Sequence, residues 1–119
     1  MSGLESAIRG LSQAIDSPPR HHMWRWLVRH RMSTVKDALR AERLRGGDAW
    51  LASREVNLHR ERAALLAQLS SLGPAVLEDE DLAGVRTELT RLVAALERYR
   101  QRVNDLVYDS VCLELGGSE

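Results

Sequence analysis

The sequence has one cysteine, few aromatic residues and no long run of apolar residues. The single cysteine, Cys112, excludes a disulfide bond within the chain and fits a reducing compartment. No apolar stretch reaches the roughly 20 residues that a membrane-spanning helix needs. The start of the chain also lacks the basic residues and the apolar run of a secretory signal peptide. These absences predict a soluble, cytoplasmic protein with no membrane span.

Neither sign of charge predominates, because 17 basic and 17 acidic residues balance over the 119 positions. Apolar residues make up 44% of the chain and charged residues 29%, which is typical of a folded domain and not of a disordered chain. Leucine, alanine, arginine and glutamate are abundant, and all four are good helix formers. We therefore expect one all-α domain over residues 1–119, just long enough to bury a core.

Proline and glycine divide the chain at three places. The strongest helix breakers are Ser17-Pro18-Pro19, Gly46-Gly47-Asp48 and Gly73-Pro74. They predict helices over about residues 3–16, 20–45, 48–72 and 81–112. Asp48 is the expected N-cap of the third helix, and Gly73-Pro74 its expected end. An acidic run over 78–81 precedes the last helix, where it opposes the positive end of the helix dipole. Short connections predict an antiparallel up-down bundle of three long helices and a short N-terminal one.

The last predicted helix has the most regular apolar pattern. Its apolar residues recur at alternating intervals of three and four: Leu82, Val85, Leu89, Leu92, Leu96, Tyr99, Val103 and Leu106. This repeat predicts a coiled-coil-like seam. The third helix has a similar seam, but Glu55 and Arg62 interrupt it. We expect Glu55 either to accept a hydrogen bond from Tyr99 or to pair with an arginine, because an unpaired buried charge is costly. The alternative is that such side chains extend to solvent at the edge of the seam.

The segment HHMWRWLVRHRM, residues 21–32, combines histidine, arginine and tryptophan on the second helix. A helical wheel places Trp24 on the apolar face, so it is a predicted core residue. Trp26 falls on the far side. It is therefore a candidate contact residue for a partner, since tryptophan is enriched at binding hot spots. The alternative is that the first helix covers Trp26.

A basic stripe runs beside the apolar face of the second helix, formed by Arg25, Arg29, Lys36, Arg40 and Arg43. Such a stripe could bind the phosphates of a nucleic acid or, less favoured, an anionic membrane surface. It could equally be neutralised by acidic residues of neighbouring helices or of a partner. The first possibility is not favoured, because a nucleic-acid-binding domain usually carries net positive charge.

Metal binding and catalysis find little support. His21 and His22 are adjacent and point about 100° apart on a helix, so they cannot face one ion together. The bundle length and the segment from His59 to Glu61 resemble hemerythrin-like proteins. Their inward-facing histidines and carboxylates would be mostly missing, since the last predicted helix has no histidine. No phosphate-binding loop, nucleophile elbow or zinc spacing occurs. We expect no cofactor and no enzymatic activity, and a metal-binding or degenerate hemerythrin-like bundle is only a third hypothesis.

The C-terminal residues predict self-association. Antiparallel pairing about a connection at 74–79 places the start of the third helix level with about residue 105. The apolar residues beyond would then overhang the bundle: Leu106, Val107, Tyr108, Val111, Leu113 and Leu115. They would be buried either in a homodimer or by folding back, with 107–115 either helical or extended. The sequence therefore predicts a non-enzymatic helical interaction module that self-associates, binds a protein partner, or does both.

Overall fold

The computed structural model describes residues 3–18, 21–42 and 52–117. They form four helices: α1 Gly3–Asp16, α2 His21–Ala41, α3 Ala52–Glu78 and α4 Leu82–Gly117. No strand occurs in these ranges, so the all-α prediction is confirmed. The expected cap at Asp48 lies outside the described residues.

Each helix packs against the next one along the chain, and α1 closes the bundle by packing against α4. The helices differ in length, with 14 residues in α1, 21 in α2, 27 in α3 and 36 in α4. At 1.5 Å per residue, α1 spans about 21 Å and α4 about 54 Å. The bundle is consequently elongated, with principal extents of 59 × 23 × 20 Å. We call the end where α3 meets α4 the turn end, and the end where α3 begins the far end.

The apolar seam predicted for α4 is buried in the core. Val85, Leu89, Leu92, Leu96, Tyr99 and Leu106 are buried, while Leu82 and Val103 are partly buried against them. The apolar face of α2 packs onto the same core through Trp24, Val28, Met32, Val35 and Leu39. The periodicity of the sequence therefore identifies the buried face of both helices.

The prediction that Gly73-Pro74 ends the third helix is wrong, because α3 continues through Pro74 to Glu78. Proline cannot donate to the carbonyl one turn earlier, so this continuation needs support from outside the helix. Val76 provides it from within the core, where its side chain is fully buried. Arg25 of α2 adds a hydrogen bond to the carbonyl oxygen of Val76 at 3.0 Å. Tertiary packing thus outweighs the local breaker.

The longer α3 changes the pairing of α3 with α4. Arg54 pairs with Asp109 at 2.6 Å, and Glu61 pairs with Arg102 seven residues further along α3. These pairs place Ala52 level with about residue 111, roughly ten residues further along α4 than predicted. The physical reason is that the chain turns at 79–81 and not at 74–79. The expected overhang from residue 106 onward is therefore wrong.

The acidic run at the turn end caps α4, as its position predicts. A carboxylate oxygen of Asp81 accepts a hydrogen bond from the backbone N–H of Gly84 at 3.0 Å. Asp79 accepts one from the N–H of Asp81 at 2.9 Å. These bonds satisfy donors that the first turn of a helix leaves unpaired, and the negative charge opposes the dipole.

Replacing Gly10 with alanine should stabilise the bundle by about 0.5–1 kcal/mol, because glycine is a poor residue inside a helix. A β-carbon at this position would lie 3.6 Å from Cδ of Arg31, which is an ordinary van der Waals contact. Denaturant unfolding of wild type and Gly10→Ala measures the difference. A loss of stability would contradict the spacing of α1 and α2 described here.

Candidate interaction surfaces

The large apolar side chains that are exposed lie near the two ends of the bundle. Met23, Trp26 and Leu77 lie near the turn end, and we call them the Trp26 patch. Val56, Val107 and Tyr108 lie near the far end, and we call them the Val107 patch. Val56 and Val107 share a level there, because Arg54 pairs with Asp109. Exposed apolar residues grouped in this way are candidate interaction sites.

Trp26 projects from the outer face of α2 and is 67% exposed. Its indole ring stacks on the imidazole of His30 one turn later, with centroids 5.7 Å apart and planes 7° from parallel. The alternative that α1 covers Trp26 is wrong, because α1 packs on another side of α2. There Gly10 of α1 lies against the side chain of Arg31.

Trp24 lies only two residues away but has the opposite environment, as predicted. It is 2% exposed, and its indole N–H donates to the carbonyl oxygen of Ile15 at 3.3 Å. The guanidinium of Arg86 lies 6.0 Å from the ring centroid and donates to the same carbonyl oxygen. Trp24 therefore joins α1, α2 and α4 at the turn end, and the two tryptophans have different roles.

The basic stripe divides into two parts. Arg25 donates to the carbonyl oxygen of Val76, and Arg29 lies against Gly73 while donating to Ser33 at 2.7 Å. These two cations lie near the C-terminal end of α3, where the helix dipole is negative. Lys36 and Arg40 have no hydrogen bond or ion pair with any residue that the structure describes. Arg43 lies outside the described residues.

Arg25 and Arg29, the half of the stripe nearest the turn end, thus contact the C-terminal end of α3. They contact its backbone and not its acidic side chains. The cations further along α2, Lys36 and Arg40, have no partner among residues 3–18, 21–42 and 52–117. This division was not visible in the sequence, where all five residues belong to one stripe. It depends on the course of α3 beyond Pro74.

A polar group joins α2, α3 and α4 toward the far end. The hydroxyl of Tyr99 donates to a carboxylate oxygen of Glu42 at 3.1 Å, and Arg62 donates to the backbone carbonyl oxygen of Glu42. Tyr99 therefore does not donate to Glu55, so the first of the two alternatives expected for Glu55 is wrong, whereas its pairing with an arginine stays a prediction. The changed pairing of α3 with α4 explains it, since Tyr99 lies further from the start of α3 than predicted.

Burial changes the acid–base properties of this group. Burial raises the pKa of Glu42 above its usual value, and the Tyr99 hydrogen bond and the Arg62 charge only partly oppose it. The pKa of Tyr99 is raised well above its usual range by burial and by the neighbouring Glu42 carboxylate. Glu42 is therefore a carboxylate held in a poorly solvated position by one hydroxyl and one nearby cation.

The Val107 patch corresponds only in part to the predicted C-terminal interface. Leu106 is 1% exposed and belongs to the core, which corrects its assignment to a free surface. Val107 and Tyr108 are exposed, as expected. The helix continues to Gly117, so the backbone over 107–115 is helical and not extended. The side chains of Val111 and Leu113 lie outside the described residues.

The described residues offer little of the geometry of a reaction centre. No three histidine, cysteine, aspartate or glutamate side chains among them are close enough together to hold a metal ion. His59 contacts Arg62 through its ring nitrogen Nδ1, at 3.0 Å. A shallow groove of about 400 Å³ lies between α3 and α4, and Gln68, Ser71, Glu88, Arg91 and Arg98 are among its lining residues. No described helix has the length and apolar character needed to cross a membrane.

Two residues of the Trp26 patch were missed at the level of sequence. Met23 lies three residues before Trp26 and so shares its helix face, a signal that the helical wheel contains. Leu77 fell in a predicted connection, and only the continuation of α3 past Pro74, with the bond from Arg25 to Val76, places it at the level of the start of α2.

No protein-family model matches the chain, and no curated protein or solved structure shows significant similarity to it.

Proposed function

We propose that this chain is a non-enzymatic helical interaction module that binds a protein partner through the Trp26 patch. The observation that carries the proposal is the 67% exposure of Trp26 on a helix whose opposite face is fully buried. A cytoplasmic location, consistent with the single cysteine, belongs to the same proposal.

The Trp26 side chain has the properties of a contact residue. Stacking on His30 limits its rotation before any partner arrives, so less side-chain entropy is lost on binding. Tryptophan also supplies a large apolar area together with one hydrogen-bond donor. Met23 lies beside it on the same face and can adapt to the shape of an opposing surface.

A homodimer is one form of this function, and a complex with a different protein is the other. The argument for a dimer through the C-terminal residues is weakened, since Leu106 is buried. The Trp26 patch is therefore the surface on which we base the proposal, whichever protein covers it.

A second candidate function is nucleic-acid binding through the basic stripe. Lys36 and Arg40 favour it, because they lack partners among the described residues. The balanced charge of the chain argues against it. A mobility shift with mixed-sequence DNA and RNA at low and high salt tests this candidate, since phosphate contacts weaken steeply as salt rises.

Trp26→Ala should weaken partner binding by at least about tenfold, as expected for loss of a hot-spot side chain. Proteins that co-purify with the tagged wild-type chain from the native cells are identified, and each is then expressed. Its affinity for wild type and for Trp26→Ala is measured by calorimetry. Tyr108→Ala, an exposed aromatic residue of the Val107 patch, is the matched control. Equal affinities for all three chains would refute the proposed surface.

A further inference from the structure

We infer that the protein covering the Trp26 patch is a second copy of this chain, in a two-fold dimer whose α2 helices pack antiparallel by their outer faces. The inference rests on the proposed function, because it names the occupant of the same surface. Two observations carry it: the distribution of side-chain sizes along α2, and the distribution of unpaired charges around it.

The outer face of α2 changes character along its length. Its first half presents the large exposed side chains of Met23, Trp26 and His30. Its second half presents short exposed side chains at Thr34, Asp37 and Ala41. A two-fold axis near the middle of the helix would bring the large half of one copy against the short half of the other. The face is therefore complementary to itself in shape when two copies run antiparallel, as a two-fold interface requires.

The charges follow the same pattern. Lys36 and Arg40 lie on the edge of α2 that faces α3, since they continue the row of Arg25 and Arg29, which contact α3. Glu78 and Glu80 are exposed at the end of α3, and neither pairs with any described residue. Among the described residues, the unpaired cations Lys36 and Arg40 thus lie toward the C-terminal end of α2. The unpaired carboxylates lie beyond its N-terminal end.

A two-fold axis perpendicular to the two α2 helices keeps α3 on the same side of both copies. Glu78 lies two residues past Val76, whose carbonyl oxygen accepts from Arg25, so the carboxylates are level with the start of α2. Antiparallel packing then brings the carboxylates of each copy level with Lys36 and Arg40 of the other copy. Opposite charges would meet twice in one dimer, which favours this arrangement over parallel packing.

The experiment is a charge reversal with rescue by mixing. Lys36→Glu with Arg40→Glu reverses the cations, and Glu78→Lys with Glu80→Lys reverses the carboxylates. We expect wild type to dimerise at micromolar concentration and low salt, and each double variant alone to dimerise at least about tenfold more weakly. An equimolar mixture of the two variants should recover the dimer, because both contacts in the mixed pair again join opposite charges. Analytical ultracentrifugation with one variant fluorescently labelled measures the mixed species directly.

Two further variants complete the design. Trp26→Ala should weaken the dimer, whereas Arg98→Glu, an exposed cation on α4 away from this face, should leave it unchanged. Circular dichroism confirms that every variant is folded before association is compared.

Three results would overturn the inference. One is a wild-type chain that stays monomeric up to about 100 μM at low salt. Another is a dimer that Trp26→Ala leaves intact, and the third is a mixture of charge variants that forms no mixed dimer. If the wild-type chain is monomeric and Trp26→Ala loses binding to a different protein, the second copy is refuted as the occupant. The proposed function is then supported. A monomer that binds an oligonucleotide through Lys36 and Arg40 would refute the second copy as occupant and support the nucleic-acid candidate.

Discussion

Replacing Trp24 with alanine should lower the free energy of unfolding by about 3–5 kcal/mol, whereas the same replacement at Trp26 should change it by less than about 0.5 kcal/mol. The two side chains are two residues apart on α2. Trp24 is 2% exposed and Trp26 is 67% exposed. The pair therefore separates the contribution of a buried aromatic ring from that of an exposed one in the same helix.

The loss at Trp24 has three physical sources. A cavity the size of an indole ring would open between α1, α2 and α4. The carbonyl oxygen of Ile15 would lose the indole N–H as a donor and, among the described residues outside its own helix, retain Arg86. The guanidinium of Arg86 would also lose the ring face beneath it. Because a small domain is stable by only about 5–15 kcal/mol, this loss is a large fraction of the total.

Urea unfolding at 25 °C, followed by circular dichroism, measures both variants. Trp24→Phe provides an intermediate case, because it keeps most of the apolar volume but removes the N–H donor. It should be destabilised by less than Trp24→Ala while remaining folded. Comparable losses at Trp24 and Trp26 would show that the two environments described here are wrong.

The buried faces of the helices could be read from the sequence because they depend on periodicity alone. An apolar residue every three or four positions fixes which side of α4 faces the core, whatever the neighbouring helix is. The wheel likewise separates Trp24 from Trp26 without knowledge of the fold. These predictions needed only the geometry of one helix.

The pairing of α3 with α4 could not be read in this way. Proline normally ends or bends a helix, so Gly73-Pro74 locally predicts a stop. The helix continues because Val76 is buried and Arg25 donates to its carbonyl oxygen, and both contacts involve residues distant in sequence. The predicted partner of Tyr99 and the predicted exposure of Leu106 both depended on the position of this turn, and both were wrong for that reason.

The candidate surface was predicted only in part, for a related reason. The exposure of Trp26 follows from the helical wheel, but the division of the basic stripe does not. Arg25 and Arg29 contact the end of α3, while Lys36 and Arg40 have no described partner. Which cations remain available for binding is decided by the neighbouring helix, and a single sequence contains no direct signal of it.

Tyr99→Phe should destabilise the protein by about 1–2 kcal/mol at pH 7, and by less at about pH 4. The variant removes only the hydroxyl, which is the donor to the Glu42 carboxylate at 3.1 Å. Burial raises the pKa of Glu42 above its value in the unfolded chain. The folded state therefore binds the Glu42 proton more tightly than the unfolded state does. This contribution to stability is fully present below the unfolded pKa and is lost as the pH rises through the folded pKa.

The Glu42 carboxyl group is ionised to a greater extent at pH 7 than at about pH 4, and Tyr99 is its only described side-chain hydrogen-bond donor. Removing the hydroxyl then leaves a poorly solvated charge with less compensation, and the pKa of Glu42 should rise further. At about pH 4 the carboxyl group is largely protonated, and a neutral acceptor loses less when its donor is removed.

Urea unfolding of wild type and Tyr99→Phe at both pH values measures the difference. The matched control is the same substitution in a Glu42→Gln background, where an amide oxygen remains but no charge can titrate. There the cost of Tyr99→Phe should be equal at the two pH values. An equal cost in the Glu42 background as well would refute the role assigned to the Glu42 charge, because the hydroxyl would then act only as a neutral hydrogen-bond donor.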